Sequence, residues 1–333
     1  MMKKAKWIQF QKENRHLTVP ILSFPSISIN KISVNELVHS SDYQAKGMKA
    51  IANRCPTSAA VNMMDLSVEA EAFGAEIKYR NDEIPAVISH PIKNLEDAQN
   101  LKVPVVGTHR TGIYIEAIKK AKKAINDRLV FAGVIGPFSL AANLMGMTEI
   151  MINCYVEPKI IEVTLEKTTE YIIDYIKAFK LAGANGIILA EPAAGLLSPE
   201  FNLEFSSKYV KRIVEAVESD DFIFVYHNCG NVVKLAPHII EINADVYHFG
   251  NAIDIEDMLK IMPKDKLVMG NVDPAGIIRN GTPESIYEFV SNLLKRCNKY
   301  ENFIISSGCD IPPDTSWDNI KAYFKAILDF YQK

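Results

Sequence analysis

The chain has 333 residues, 48% of them hydrophobic and 23% charged, with a net charge of −3 at pH 7. This suits one large globular domain or two small ones, and the interspersed acids and bases, with no basic tract, exclude a nucleic-acid partner. Five cysteines are too few for a disulfide scaffold, no run approaches a membrane span, and MMKKAKWIQFQKENR has lysines but no apolar core, so a cytoplasmic protein with no membrane association is expected.

After a polar leader at 1–18, VPILSF at 19–24 is the first strand candidate, ended by Pro25. Residues 31–54 read as helical, with Ser33 or Asn35 as caps. AAVNMMD at 59–65 is the second strand and ends on Asp65, and the helix-like VEAEAFGAEI that follows closes on Gly74. The longest interruption covers 76–128, with an extended piece, a proline-punctuated turn and two helices, the second (114–125) basic on one face. Such a face is either simply solvated or a partner surface.

From 129 onward the alternation is regular. Strands are predicted at 129–137, 186–192, 222–229, 245–251, 267–273 and 303–309, and helices at 147–154, 158–181, 199–218, 232–242, 255–262, 282–299 and 317–331. The strand runs are almost continuously apolar, as strands buried on both faces are. Eight strands, nearly all followed by helices, predict a parallel α/β sheet closed into a single (β/α)8 TIM barrel over 1–333, with the N-terminal extension and the 76–128 insertion after the second strand. A doubly wound sheet is the alternative, weakened because no G-x-G-x-x-G follows a strand.

Chemistry in such a barrel gathers at the carboxyl ends of the strands. Those ends carry Asn62 and Asp65, Gly136, Glu191, His227 with Cys229, Asn251, Asn271 with Asp273, and Cys309. Asn251 and Asp273 have a plain reading as turn formers or caps. Glu191 is open to three readings: fourth metal ligand, support for a ligand, or helix cap. Asp65 could accept a substrate N–H or cap the next helix. His227, Cys229 and Cys309 could be a core histidine and two buried small hydrophobes. On a barrel rim, though, they converge into a zinc site with one coordination position open. Two thiolates and a neutral imidazole cancel the charge of Zn2+, which makes a poor activator of water but a good holder of a nucleophilic thiolate. The expected chemistry is therefore activation of a small-molecule thiol.

HNCGN at 227–231, GNVDP at 270–274, SSGCDIPPDTSWDN at 306–319 and VEAEAFGAE at 68–76 resemble the uroporphyrinogen decarboxylase superfamily. The His-x-Cys-Gly motif with the late Gly-Cys-x-Ile-Pro resembles its methyltransferase branch, the methylcobamide:coenzyme M methyltransferases and related corrinoid-dependent proteins. The likeness covers nearly the whole chain and is weak over 80–128. It implies a (β/α)8 barrel with His227, Cys229 and Cys309 at the zinc positions. The implied reaction moves a methyl group between a corrinoid cobalt, carried on a small partner protein, and a thiol such as coenzyme M. The cofactors expected are thus Zn2+ and a corrinoid (methylcobamide); Asp65, Asn62, Asn271 and Asp273 are candidate contacts to substrate or corrinoid, Glu191 joins the trio as a catalytic candidate, and a homodimer is left open. Gly133, Gly136, Ala190, Ala193 and Gly195 are small enough at the strand ends to suit a wide mouth. The rival within the fold is metal-free porphyrinogen decarboxylation. It is favoured by the position of Asp65, and opposed by the lack of an arginine on the first strand, where only Arg15 precedes RHLTVPILSFPSISI's apolar run. Methyl transfer in the opposite direction, loading a corrinoid protein, and a non-catalytic corrinoid- or zinc-binding component complete the alternatives.

Overall fold

A computed structural model describes residues 3–332. Seven parallel strands form one curled sheet in the order β1 (Ala59–Val61), β4 (Leu129–Ile135), β5 (Gly186–Ala190), β6 (Ile223–Asn228), β7 (Val246–Phe249), β8 (Leu267–Val272) and β9 (Phe303–Ser307). Helices surround it, as in a TIM barrel. The apolar runs become strands because both of their faces are covered: β5, β6, β7, β8 and β9 are buried at every residue.

The eighth expected strand, at 19–24, is not one. Pro20 has no N–H to give a ladder, so the segment bridges the gap between β1 and β9 by other means. Ser58 N donates to Thr18 O at 3.3 Å, Ser306 Oγ donates to Val19 O at 2.8 Å, and Ile21 N donates to Ser307 Oγ at 3.0 Å. Side chains of β9 thus replace half of a strand ladder, and the barrel closes through a polar seam.

The polar leader also has structure. Helix Lys4–Glu13 buries only Trp7 and Gln11. Trp7 meets Phe131 edge-on at 5.6 Å and joins Val19, Ile21, Ala59, Val61, Ile223 and Ile304 in the apolar filling of the barrel. The helix is a plug at the N-terminal ends of the strands.

Between β1 and β4 lie the small antiparallel hairpin β2 (Ile77–Lys78) and β3 (Ala86–Val87) and the helices Leu95–Asn100 and Arg110–Ala124. The helix expected over 31–54 divides into Val34–Val38 and Ser41–Arg54, because Ser33 with Glu36 makes a capping box for the first and Ser40 caps the second. Helix Pro137–Met145 stands where a connection was expected; eight of its residues are buried, so it shows no polar face from which a period can be read. Among the described residues no helix is long and apolar enough to cross a membrane.

Candidate metal centre

β6 is apolar through Val225 and Tyr226 and then presents His227 within its last pair of residues, with Cys229 just beyond its end. β9 delivers Cys309 two residues past Ser307. One ligand atom from each of His227, Cys229 and Cys309 lies within 4.8 Å of the other two. His227 is buried and both thiols are half-buried. The loop after β7 comes close because Gly250 carries no side chain: a Cβ there would stand 2.5 Å from Cys229 Cα.

The two thiols share a proton unequally. The Cys309 thiol donates towards Cys229, and with the His227 ring this holds Cys229 down at about 4 against the effect of burial. Cys309 is pushed well up, first by its hydrogen bond to Cys229 and then by burial and the neighbouring negative charge. One sulfur is thus ionised and the other keeps its proton. His227 Nε2 is buried without a hydrogen-bond partner, while Nδ1 lies 2.8 Å from His248 Nδ1. An unpartnered imidazole nitrogen beside two sulfurs fits a tetrahedral soft-ligand ion such as Zn2+.

The other expected site residues are placed differently. Glu191 is wholly buried and its carboxylate faces helix Pro137–Met145, accepting from Phe138 N at 2.8 Å, Ser139 N at 3.0 Å and Ser206 Oγ at 3.2 Å. Burial raises it to about 7, against those bonds. It touches the centre through its main chain, whose N–H donates to His227 O at 2.9 Å and whose carbonyl accepts from Asn228 Nδ2 at 2.6 Å. Asp65 is enclosed: Oδ1 accepts from Ser67 N and Oγ, Oδ2 from Tyr114 Oη at 2.8 Å and from Arg110, which also reaches Glu71 at 2.8 Å. Asn62 holds Phe131 O through its backbone N–H at 2.9 Å and leaves Oδ1 unpartnered. Asn271 ties the end of β8 to Gly250 O and Ile253 O, and Asp273 caps the turn Pro274–Arg279 through Ala275 N and Gly276 N.

The small residues expected to widen the mouth serve close packing instead. A Cβ on Gly133 would lie 2.6 Å from Met63 O, one on Gly136 2.2 Å from Glu191 Oε2, and one on Gly195 3.0 Å from Gly230 Cα. Ala190 and Ala193 are buried.

Three functional candidates have no counterpart in the sequence reading. Asp310, next to Cys309, has a carboxyl raised to about 7 by burial, although Met64 N and Ser23 Oγ donate to it. Arg110 is the buried cation under Asp65; as one of only eight arginines among 37 basic residues it was distinguishable from the lysines around it. His248 sits in strict register beside His227, which no spacing along the chain reveals.

The sequence pattern of the family described as uroporphyrinogen decarboxylase (URO-D) matches residues 25–330. The chain belongs to the uroporphyrinogen decarboxylase family. Its relatives include methylcobamide:CoM methyltransferase MtbA of Methanosarcina acetivorans, 30% identical over 270 residues covering 80% of this chain and 78% of that protein. They also include the uroporphyrinogen decarboxylase of Thermodesulfovibrio yellowstonii, 26% identical over 283 residues covering 82% of this chain and 79% of that protein. Among solved structures, a methyltransferase from Methanosarcina mazei superposes with a TM-score of 0.84 at 24% identity over 94% of each chain, a likeness that shows the shared fold.

Proposed function

We propose that this member of the uroporphyrinogen decarboxylase family is a zinc-dependent methyltransferase. It would move a methyl group between a corrinoid cobalt on a small partner protein and a thiol, coenzyme M being the model acceptor. The observation that carries the reading is the meeting of the His227 imidazole, whose Nε2 has no hydrogen-bond partner, with the sulfurs of Cys229 and Cys309. The relatedness to MtbA supports it.

These three side chains would hold the ion. Bound there, a Zn2+ whose charge is balanced by two thiolates would lower the pKa of an incoming thiol while leaving its sulfur electron-rich. The chain's own work is to arrange the donors: Cys229 supplies a thiolate already ionised at neutral pH, Cys309 would give up its proton on loading, and the buried His227 presents its unpartnered Nε2. A methylcorrinoid would supply the methyl group, the new sulfur–carbon bond replacing the cobalt–carbon bond, whose electron pair would stay with the cobalt. A decarboxylase reading would lean on Asp65, and here both of its carboxylate oxygens are engaged by Ser67, Tyr114 and Arg110. Three ligands, one short of a closed structural site, favour an enzyme over a passive carrier.

Metal analysis with methylcobalamin as donor tests this. About one zinc per wild-type chain is expected, with loss in Cys309→Ala, and a change in the cobalt spectrum when a suitable thiol is added. A wild-type chain that takes up no zinc, or that leaves methylcobalamin intact with every thiol of a panel, would defeat the proposal.

A further inference from the structure

We infer that His248 is a positioning residue for the metal centre: through a one-way chain of hydrogen bonds ending on the Val19 carbonyl, it fixes His227 in the tautomer whose Nε2 lone pair is free to bind the ion. The inference rests on the zinc reading above.

The direction of each bond follows from what the atoms can do. His227 Nδ1 lies 2.8 Å from His248 Nδ1 and 3.3 Å from His248 O. A carbonyl oxygen only accepts, so the hydrogen belongs to His227 Nδ1 and is shared between the two. At the other end, Ser306 Oγ lies 2.8 Å from Val19 O, again an obligate acceptor, so Ser306 spends its single hydrogen there. It must then accept from His248 Nε2, 2.9 Å away. With its hydrogen on Nε2, His248 has a bare Nδ1 for His227. Run backwards, the chain would leave the Val19 carbonyl without a hydroxyl and place the His227 hydrogen on Nε2, where it would block the metal.

The fold supplies this arrangement in two places. Parallel register sets His227 and His248 side by side on β6 and β7, both buried. The closing segment at 18–22 leaves the Val19 carbonyl free for a side chain because Pro20 disrupts a strand ladder there. Metal-bound histidines generally pass their second N–H to a carboxylate, a carbonyl or water. A neutral imidazole as the main acceptor adds no negative charge behind the two thiolates.

The tautomer is read on uniformly 15N-labelled wild-type protein by long-range 15N–1H correlation of the imidazoles, before and after zinc. The expected spectrum has the hydrogen of His227 on Nδ1 and that of His248 on Nε2 in both states. Zinc affinity, from competition with a chelator, should fall about 10–100-fold in His248→Leu. It should stay within a few-fold of wild type in His248→Asn, whose amide oxygen can accept from His227. His227 protonated on Nε2 in the zinc-free protein overturns the inference, as does a folded His248→Leu protein that binds zinc as tightly as wild type. If His248→Leu does not fold, the wild-type spectrum still decides. A wild-type chain that binds no zinc defeats the metal reading and the positioning role that rests on it, while the His227 tautomer of that same chain separately decides the direction of the hydrogen-bond chain.

Discussion

Glu191 offers a prediction whose size can be worked out. Its carboxyl is fully buried and is raised from the ordinary 4.5 to about 7 because burial outweighs the bonds from Ser139, Phe138 and Ser206. In the unfolded chain the proton leaves near 4.5, whereas the folded chain keeps it until about 7. Between those values the folded state binds more protons, so stability falls as pH rises through that window and the loss is complete above it. At ~1.4 kcal/mol per pH unit, the loss amounts to ~3 kcal/mol. Glu191→Gln carries no such proton. Whatever fixed offset the amide introduces against Ser139 N, the stability of the variant relative to wild type should improve by about 3 kcal/mol between pH 4.5 and pH 8. Urea unfolding of both proteins at several pH values measures this. Glu69 and Asp310, also raised to about 7, and the lowered Cys229 titrate alike in both proteins and cancel in the difference. A gap that is constant with pH would mean that Glu191 ionises as an exposed carboxyl does, and that the helix Pro137–Met145 does not seal it. The same variant distinguishes a ligand from a support: with the carboxylate turned to that helix, zinc affinity should stay within a few-fold of wild type, and loss of the metal would refute the placement.

Two more outcomes follow from buried charge. Zinc binding at pH 7 should release about one proton from the cysteine pair, because Cys229 is already ionised and Cys309 is not; calorimetry in buffers of unlike ionisation enthalpy counts it, and a release of two would show that both were thiols. Arg110→Met strands the buried Asp65 carboxylate and should cost about 3–5 kcal/mol in denaturant unfolding, much of it recovered in the double variant with Asp65→Asn; a cost below about 1 kcal/mol would mean the pair is not enclosed.

What the sequence shows and what it hides divide along physical lines. Continuous apolar runs such as Leu129–Ile135 and Phe303–Ser307 announce themselves because a strand covered on both faces has no other composition available. Helix Pro137–Met145 is hidden for the same reason, since uniform burial removes the periodicity that marks a helix. The first expected strand fails at Pro20, where a rule about one missing N–H outweighs an apolar pattern. His227 and Cys229 are legible because two ligands share one strand end, and Cys309 because barrel topology brings a distant strand end to the same rim. His248 and Arg110 are partners only in space. One is set beside His227 by sheet register, and the other reaches Asp65 across 45 positions from a helix of the insertion.

The groups around the centre limit its negative charge in a way that bears on the proposed chemistry. The acceptor behind His227 is an imidazole, which burial drives well below its ordinary value and so keeps neutral. Asp310, beside Cys309, is raised to about 7, and so is Glu191, whose main chain braces His227. Ionised carboxylates at these places would oppose the second thiolate that zinc needs and would further weaken an ion already neutralised by two sulfurs. A site for hydrolysis gains from a strongly positive metal. A site for thiol alkylation needs an ion positive enough to ionise an incoming thiol and no more, because stronger binding would withdraw electron density from the sulfur that must attack. On the proposed reading, two ionised sulfurs, with a neutral imidazole behind His227 and two carboxyls whose ionisation burial resists, meet that requirement, and this is why His248 behind His227 suits this centre better than a carboxylate would.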